Sequence, residues 1–124
     1  MANAINWFEI PAANLDRAAK FYGTVLNGEV HRQEIMGLQM GFLPMESQDA
    51  GVGGAVVQGE GYTPSSDGSL LYLNGGNDLA DPLARVETAG GQVVVPKTKI
   101  SDEIGYMAIF MDSEGNKIAL HSPN

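Results

Sequence analysis

An α+β chain built from two βαβββ modules, with curved mixed sheets around a cleft, is the fold class this 124-residue sequence predicts. Three observations carry it. Segments of the first half recur in the second at a near-constant offset, a polar stretch rich in Gly, Pro, Ser and Asp separates the halves, and the chain closes on a strand, a tight turn and a strand. Asn14-Leu15 against Asp78-Leu79 is offset by 64 residues, Gly28-Glu29-Val30 against Gly91-Gln92-Val93 by 63, and Met45-Glu46-Ser47 against Met111-Asp112-Ser113 by 66. Three matches in chain order outweigh the generic recurrence of caps and glycines. The expected organisation is one domain, with module one at about 4–58, a connector at 59–69 and module two at about 70–122.

The elements follow in order. Ile5 to Ile10 is rich in β-formers and stops at Pro11, so it reads as a short strand. Asn14 caps a helix whose Leu15, Ala18, Ala19, Tyr22, Val25 and Leu26 fall on one face, with Asp16 in its first turn and Gly28 as its stop. Strands are expected over Glu29 to Met36, Leu38 to Met45 and Gly53 to Gln58. In the second half, Leu70 to Asn74 is a strand. A helix then starts at Asn77 or Asp78, carries Leu79, Leu83, Val86 and Ala89, and ends at Gly90-Gly91, with Pro82 early in it or restarting it. Gln92 to Val95 is a strand, and Pro96 to Gly105 a loop able to close over a cleft. Tyr106 to Met111 and Lys117 to His121 form the closing hairpin, turned by Asp112 to Asn116, where Gly115 and Asn116 both tolerate positive φ.

A chain of this length buries roughly two-thirds of its unfolded surface, enough for an ordinary core without staples. It has no cysteine, which excludes disulfides, thiolate metal sites and cysteine nucleophiles. The apolar runs, such as Val93-Val94-Val95, are too short to span a bilayer, and no basic-then-apolar leader opens the chain; a soluble, unprocessed, cytoplasmic protein is expected. A net charge of -8 opposes phosphate backbones, so neither nucleic acid nor membrane is an expected partner. Lys97 and Lys99 are the local exception, a pair able to hold one carboxylate. No phosphate-binding glycine pattern or serine elbow is present.

Trp7-Phe8-Glu9-Ile10-Pro11, Asn14 to Ala18, Phe21-Tyr22, the Gly90-Gly91 helix exit and Asp112 to Asn116 together resemble the vicinal oxygen chelate superfamily. Its members include the glyoxalase, bleomycin-resistance and extradiol-dioxygenase proteins, and the likeness to its small glyoxalase-like branch runs from Ile5 to His121. The resemblance implies a glyoxalase-like fold and, in metal-dependent branches, one ligand on the first and fourth strand of each module. Those positions fall here on Trp7, on Gly54 or Ala55, on Leu71 or Tyr72, and on Ala119. Indole, alkyl groups and glycine offer a metal no donor, and phenol is an uncommon one. No metal and no cofactor are expected.

The candidate ligand-binding residues are Trp7, Glu9, Met107 and His121. Strand alternation sends Glu9 the same way as Trp7, and His121 the same way as Ala119; a carboxylate and an imidazole in one cleft suit a displaced metal or proton transfer, while a rim charge and a terminal histidine need no role. Met36, Met40, Met45, Met107 and Met111 in strands suit either an adaptable cavity lining or core packing. Trp7 either fills the former metal pocket and is buried, or offers a stacking platform in an open cleft. His31, the only other histidine, is expected to be exposed. The expected function is metal-free binding of a small molecule of unknown identity by a homodimer, without a catalytic residue to name. A metal-dependent lyase, isomerase or dioxygenase of the superfamily is the alternative.

Overall fold

The computed structural model describes residues 3–45 and 51–124, so the Glu46-Ser47 part of the repeat lies outside the described residues. The elements are β1 (Trp7–Pro11), α1 (Leu15–Val25), β2 (His31–Ile35), β3 (Leu38–Phe42), β4 (Gly53–Gln58), β5 (Tyr72–Asn74), α2 (Ala80–Ala84), β6 (Gln92–Ser101), β7 (Gly105–Met111) and β8 (Lys117–Ser122). They form two four-stranded sheets of matching order, β1-β4-β3-β2 and β5-β8-β7-β6. In each, the first strand of the module runs parallel to its fourth and the other pairs are antiparallel. The sequence repeat is thus a repeat of topology, in curved and unclosed sheets.

Local chemistry explains the element ends. Asn14 caps α1, its Oδ1 accepting from the Arg17 amide at 3.1 Å. The helix ends where Asn27 takes the left-handed conformation, φ 53°. Gly28, expected to supply that stop, is needed for space instead: a Cβ there would stand 2.6 Å from that of Pro44. Met36, expected in a strand, sits with Gly37 in the β2–β3 turn, both at positive φ as a two-residue hairpin requires, and is 93% exposed. In the closing turn only Gly115 is left-handed, at φ 94°. Asn116 is instead buried as a polar hub, its Nδ2 donating to the Pro11 carbonyl and to Asp112, and its Oδ1 accepting from the Ser65 amide.

Two expectations for module two are corrected. Pro96 to Gly105 is no loop, because β6 continues to Ser101. Pro96 is tolerated since β6 is the sheet's outer strand, and the ladder shifts register on either side of it, between Val93 and Val95 and between Val95 and Thr98. The helix expected from Asn77 or Asp78 shortens to Ala80–Ala84. Asp78 accepts from the Ala80 amide at 2.9 Å, and the Leu79 amide is drawn away to Ser122 Oγ at 2.8 Å. From Arg85 the chain continues in turns, which still bury Val86.

One hydrophobic core serves both modules. It takes Ile10 and Val56 from the first sheet, Leu15, Ala18, Phe21, Tyr22 and Val25 from α1, and Ala108, Phe110, Ile118 and Leu120 from the second sheet. Phe21 meets Phe110 at 5.8 Å between ring centres, and Arg85 Nε donates to the Val25 carbonyl at 3.0 Å, joining the ends of the two helices. Each buried aromatic contributes about 2–3 kcal/mol through removal of apolar surface from water. Since each sheet turns one face to this helical core, its other face points away from it.

Polar ties lock the modules. Glu114 Oε1 accepts from the Ala13 and Asn14 amides at 2.9 and 2.8 Å, and Oε2 pairs with Arg17 Nε at 2.6 Å. Burial pushes the Glu114 carboxyl up, but Arg17, the Asn14 amide and the Ser113 hydroxyl outweigh it and hold the group below the usual carboxylate range. Tyr22, fully buried, donates to Asp112 Oδ2 at 2.6 Å; burial and the Asp112 charge push its phenol well above the ordinary value, so it remains a donor.

Candidate functional site

The helix-free faces carry the candidate residues. On β1, Phe8 and Ile10 pack toward the shared core, so alternation puts Trp7 and Glu9 on the open face of the first sheet. There, Glu9 is opposite Ala55, and Ala55 is opposite Phe42 on the next strand. Met40, Ala55 and Val57 form a second apolar cluster beneath Phe42 and Tyr62. Trp7 is 42% exposed, with its ring edge-on to Phe42 at 5.8 Å between centres. It does not fill a pocket, and the platform alternative describes its setting.

On the second sheet, Ala108, Phe110, Ile118 and Leu120 point to the core, leaving Met107, Ile109, Ala119 and His121 on the open face. Met107 is opposite His121, which is opposite Asn74 on β5. A depression of about 520 Å³ lies here, lined by Tyr72, Leu73, Asn74, Ile100, Ile104, His121 and Pro123. Its apolar rim is open: Tyr72 is 53% and Ile104 55% exposed. His121 Nε2 lies 2.6 Å from the Ile104 carbonyl, which only accepts, so Nε2 is the donor of this bond.

Trp7 with Glu9, and Met107 with His121, are therefore two separate groups. They stand on faces turned away from one core, and one chain does not bring Glu9 and His121 together. Lys97 and Lys99 do not form a carboxylate clamp for a ligand; Lys97 pairs with Asp78 at 2.9 Å and lies over the Tyr106 ring, and Lys99 pairs with Asp102. His31 is exposed.

The positions that the resemblance assigns to metal ligands, Trp7, Gly54 or Ala55, Leu71 or Tyr72, and Ala119, lie on or beside paired strands. Trp7 is opposite Gly53, beside Gly54 and Ala55, and Tyr72 is opposite Ala119, which is fully buried. This donor set does not fit a divalent cation, since it offers one phenol among carbon side chains. Among the described residues, no three His, Asp or Glu side chains gather in a group able to hold one.

A family model described as the Glyoxalase/Bleomycin resistance protein/Dioxygenase superfamily matches residues 4–120. The chain belongs to this superfamily. Among solved structures, a glyoxalase/bleomycin resistance protein from Albidiferax ferrireducens T118 shares 17% identity over 95% of this chain and 97% of its own, with TM-score 0.71. TnmS3, an antibiotic binding protein from Streptomyces sp. CB03234, shares 21% over 100% and 99%, with TM-score 0.67. Glyoxalase I from Zea mays shares 16% over 94% of this chain but only 45% of its own, with TM-score 0.68. The superfamily chain therefore spans about half the length of the maize enzyme. At these identities the likeness is one of fold. No curated protein matches the sequence.

Proposed function

We propose that this superfamily member is a metal-free small-molecule binding protein whose clefts are completed by a second copy of the chain. The observation that carries it is the chemistry of the open faces: carbon side chains and one phenol stand where metal donors would be required, and the two aromatic ones, Trp7 and Tyr72, are exposed in a single chain. Trp7 on one face and Tyr72 and Ile104 on the other are large apolar groups without cover. A two-fold pair sets the first-sheet face of one protomer against the second-sheet face of its partner, making two equivalent clefts lined by Trp7, Glu9, Met107 and His121. The description of TnmS3 as an antibiotic binding protein supports small-molecule binding on this fold.

The donor-poor lining of these faces favours binding rather than turnover as the function proposed. A thermal-shift screen of aromatic small molecules and antibiotics, run with and without added divalent cations, tests it. Stabilisation by members of the panel, independent of metal, is expected. Stabilisation only when a metal is added would favour the metal-dependent enzyme reading.

A further inference from the structure

The first-sheet face holds one more feature, a fixed carboxylate flanked by aromatic side chains. Gly53 and Ala55 of β4 form a low floor between β1 and β3, because neither carries more than a methyl group. The space over Gly53 is taken by Met45, whose Sδ an added Cβ would meet at 2.8 Å, and by the Trp7 ring at 3.3 Å. Trp7 packs edge-on against Phe42, 5.8 Å between ring centres, and Tyr62 from the connector reaches Glu9 on the same face. Both oxygens of Glu9 are held: Tyr62 donates its hydroxyl to Oε1 at 2.6 Å, and the Trp7 indole N–H reaches Oε2 at 3.4 Å. The hydrogen bond to Glu9 raises the Tyr62 pKa, which keeps this phenol a donor and the carboxylate oriented.

Among the described residues, the charge so fixed has no cationic partner. Among the described residues the ion pairs are Arg17 with Glu114, Arg32 with Asp16, Lys97 with Asp78 and Lys99 with Asp102; Glu9 is in none of them. Lys117 lines a small neighbouring pocket of about 220 Å³ together with Glu9 but does not pair with it. A surface carboxylate without a function is ordinarily free to move, whereas this one is aimed by two aromatic donors beside exposed ring faces. Ring faces attract cations through their quadrupole, and a carboxylate among them adds a full opposite charge while repelling anions.

We propose that Trp7, Phe42, Tyr62 and Glu9 form a recognition site for the ammonium or other organic cation of an aromatic ligand. This rests on the reading of the open faces as ligand-binding clefts. The aromatic part of the ligand stacks on Trp7, and its cation meets Glu9. The site selects by charge.

Three probes of similar shape isolate the charge: N-methylquinolinium, a permanent cation; quinoline, neutral at neutral pH; and quinoline-2-carboxylate, an anion. Isothermal titration of the full chain is expected to show N-methylquinolinium bound about tenfold more tightly than quinoline, in line with a desolvated cation–π contact reinforced by a carboxylate. Quinoline-2-carboxylate should bind weakest. Glu9→Gln keeps a side-chain oxygen for Tyr62 and should erase the preference while leaving quinoline affinity unchanged. Glu87→Gln makes the same change in net charge at an exposed residue outside the site and should preserve the preference. Equal affinity for cation and neutral probe, or a preference that survives Glu9→Gln, would overturn this inference and leave the cleft reading standing. Failure of all three probes to bind would overturn both.

Discussion

Glu114→Ala is expected to loosen the joint between the modules more than any other single change in a surface turn. The side chain is 1% exposed and ties the closing turn of module two to the start of α1 through the Ala13 and Asn14 amides and Arg17. Hydrogen bonds to a charged acceptor contribute about 1.5–3 kcal/mol each, but the two amides regain water once the side chain is gone, so a loss of about 3 kcal/mol is expected rather than the full sum. For a chain of this length that lowers Tm by about 12 °C. Glu114→Gln retains one oxygen for the amides and loses the ion pair, giving roughly half the effect.

Urea unfolding followed by circular dichroism measures both, and acidification adds a second check. The Glu114 carboxyl is held below its ordinary value of 4.5, so folding favours its charged form. Its stabilisation is complete above the usual carboxylate range, begins to fall as pH drops through that range, and is gone once pH passes below the lowered value. The difference between wild type and Glu114→Gln should therefore be constant near neutrality and close in acid. A Glu114→Ala protein within about 0.5 kcal/mol of wild type, the range of neutral surface changes, would refute the reasoning.

Other expectations follow from the same contacts. Tyr22→Phe removes the hydroxyl that serves buried Asp112 and should cost about 1.5–3 kcal/mol in chemical denaturation, with no change in secondary structure. Gly91→Ala would drive a Cβ to 2.5 Å from the Met111 carbonyl and 2.7 Å from Phe21, and a loss of about 2–3 kcal/mol is expected by the same measurement. Trp7 is the only tryptophan, and as a partly exposed platform its emission should be quenched by acrylamide and shift when an aromatic ligand binds; a blue-shifted, quencher-resistant emission would reject the platform. Sedimentation at micromolar concentration should show a dimer, and monomer alone would reject the shared clefts.

The fold was legible because pattern and punctuation agreed. The expected strand from Gly53 to Gln58 is β4, residue for residue, and Asn14 caps α1 through the bond its position implies. Pro96 misled because a proline inside an apparent strand stops it only if the missing N–H is needed, and edge position is a property of the sheet rather than the segment. The second helix was overread since Leu79, Leu83 and Val86 keep helical spacing while Ser122, 43 residues away, takes the Leu79 amide. Strand alternation alone groups Glu9 with Trp7 and His121 with Ala119, and each pair shares a sheet face here. Their assembly was not legible: a hydrophobic pattern says which face of a sheet is buried, not against which module, so the arrangement that parts Glu9 from His121 had no local signal. Tyr62 and Phe42 were missed for the same reason, lying 53 and 33 residues from Glu9 and meeting it only through the connector and the register of three strands.

The metal content of the protein, purified without chelator and measured by elemental analysis, tests the central claim most directly. With Trp7, Gly54 or Ala55, Leu71 or Tyr72, and Ala119 at the positions the resemblance assigns to donors, well under a tenth of an equivalent of Zn, Ni, Mn or Fe per chain is predicted, by the rule that stable sites need three or four N, O or S ligands. A stoichiometric metal that disappears in Glu9→Gln or His121→Ala would contradict the claim, and would show that two residues from opposite faces meet across a dimer to build a site that these positions do not provide.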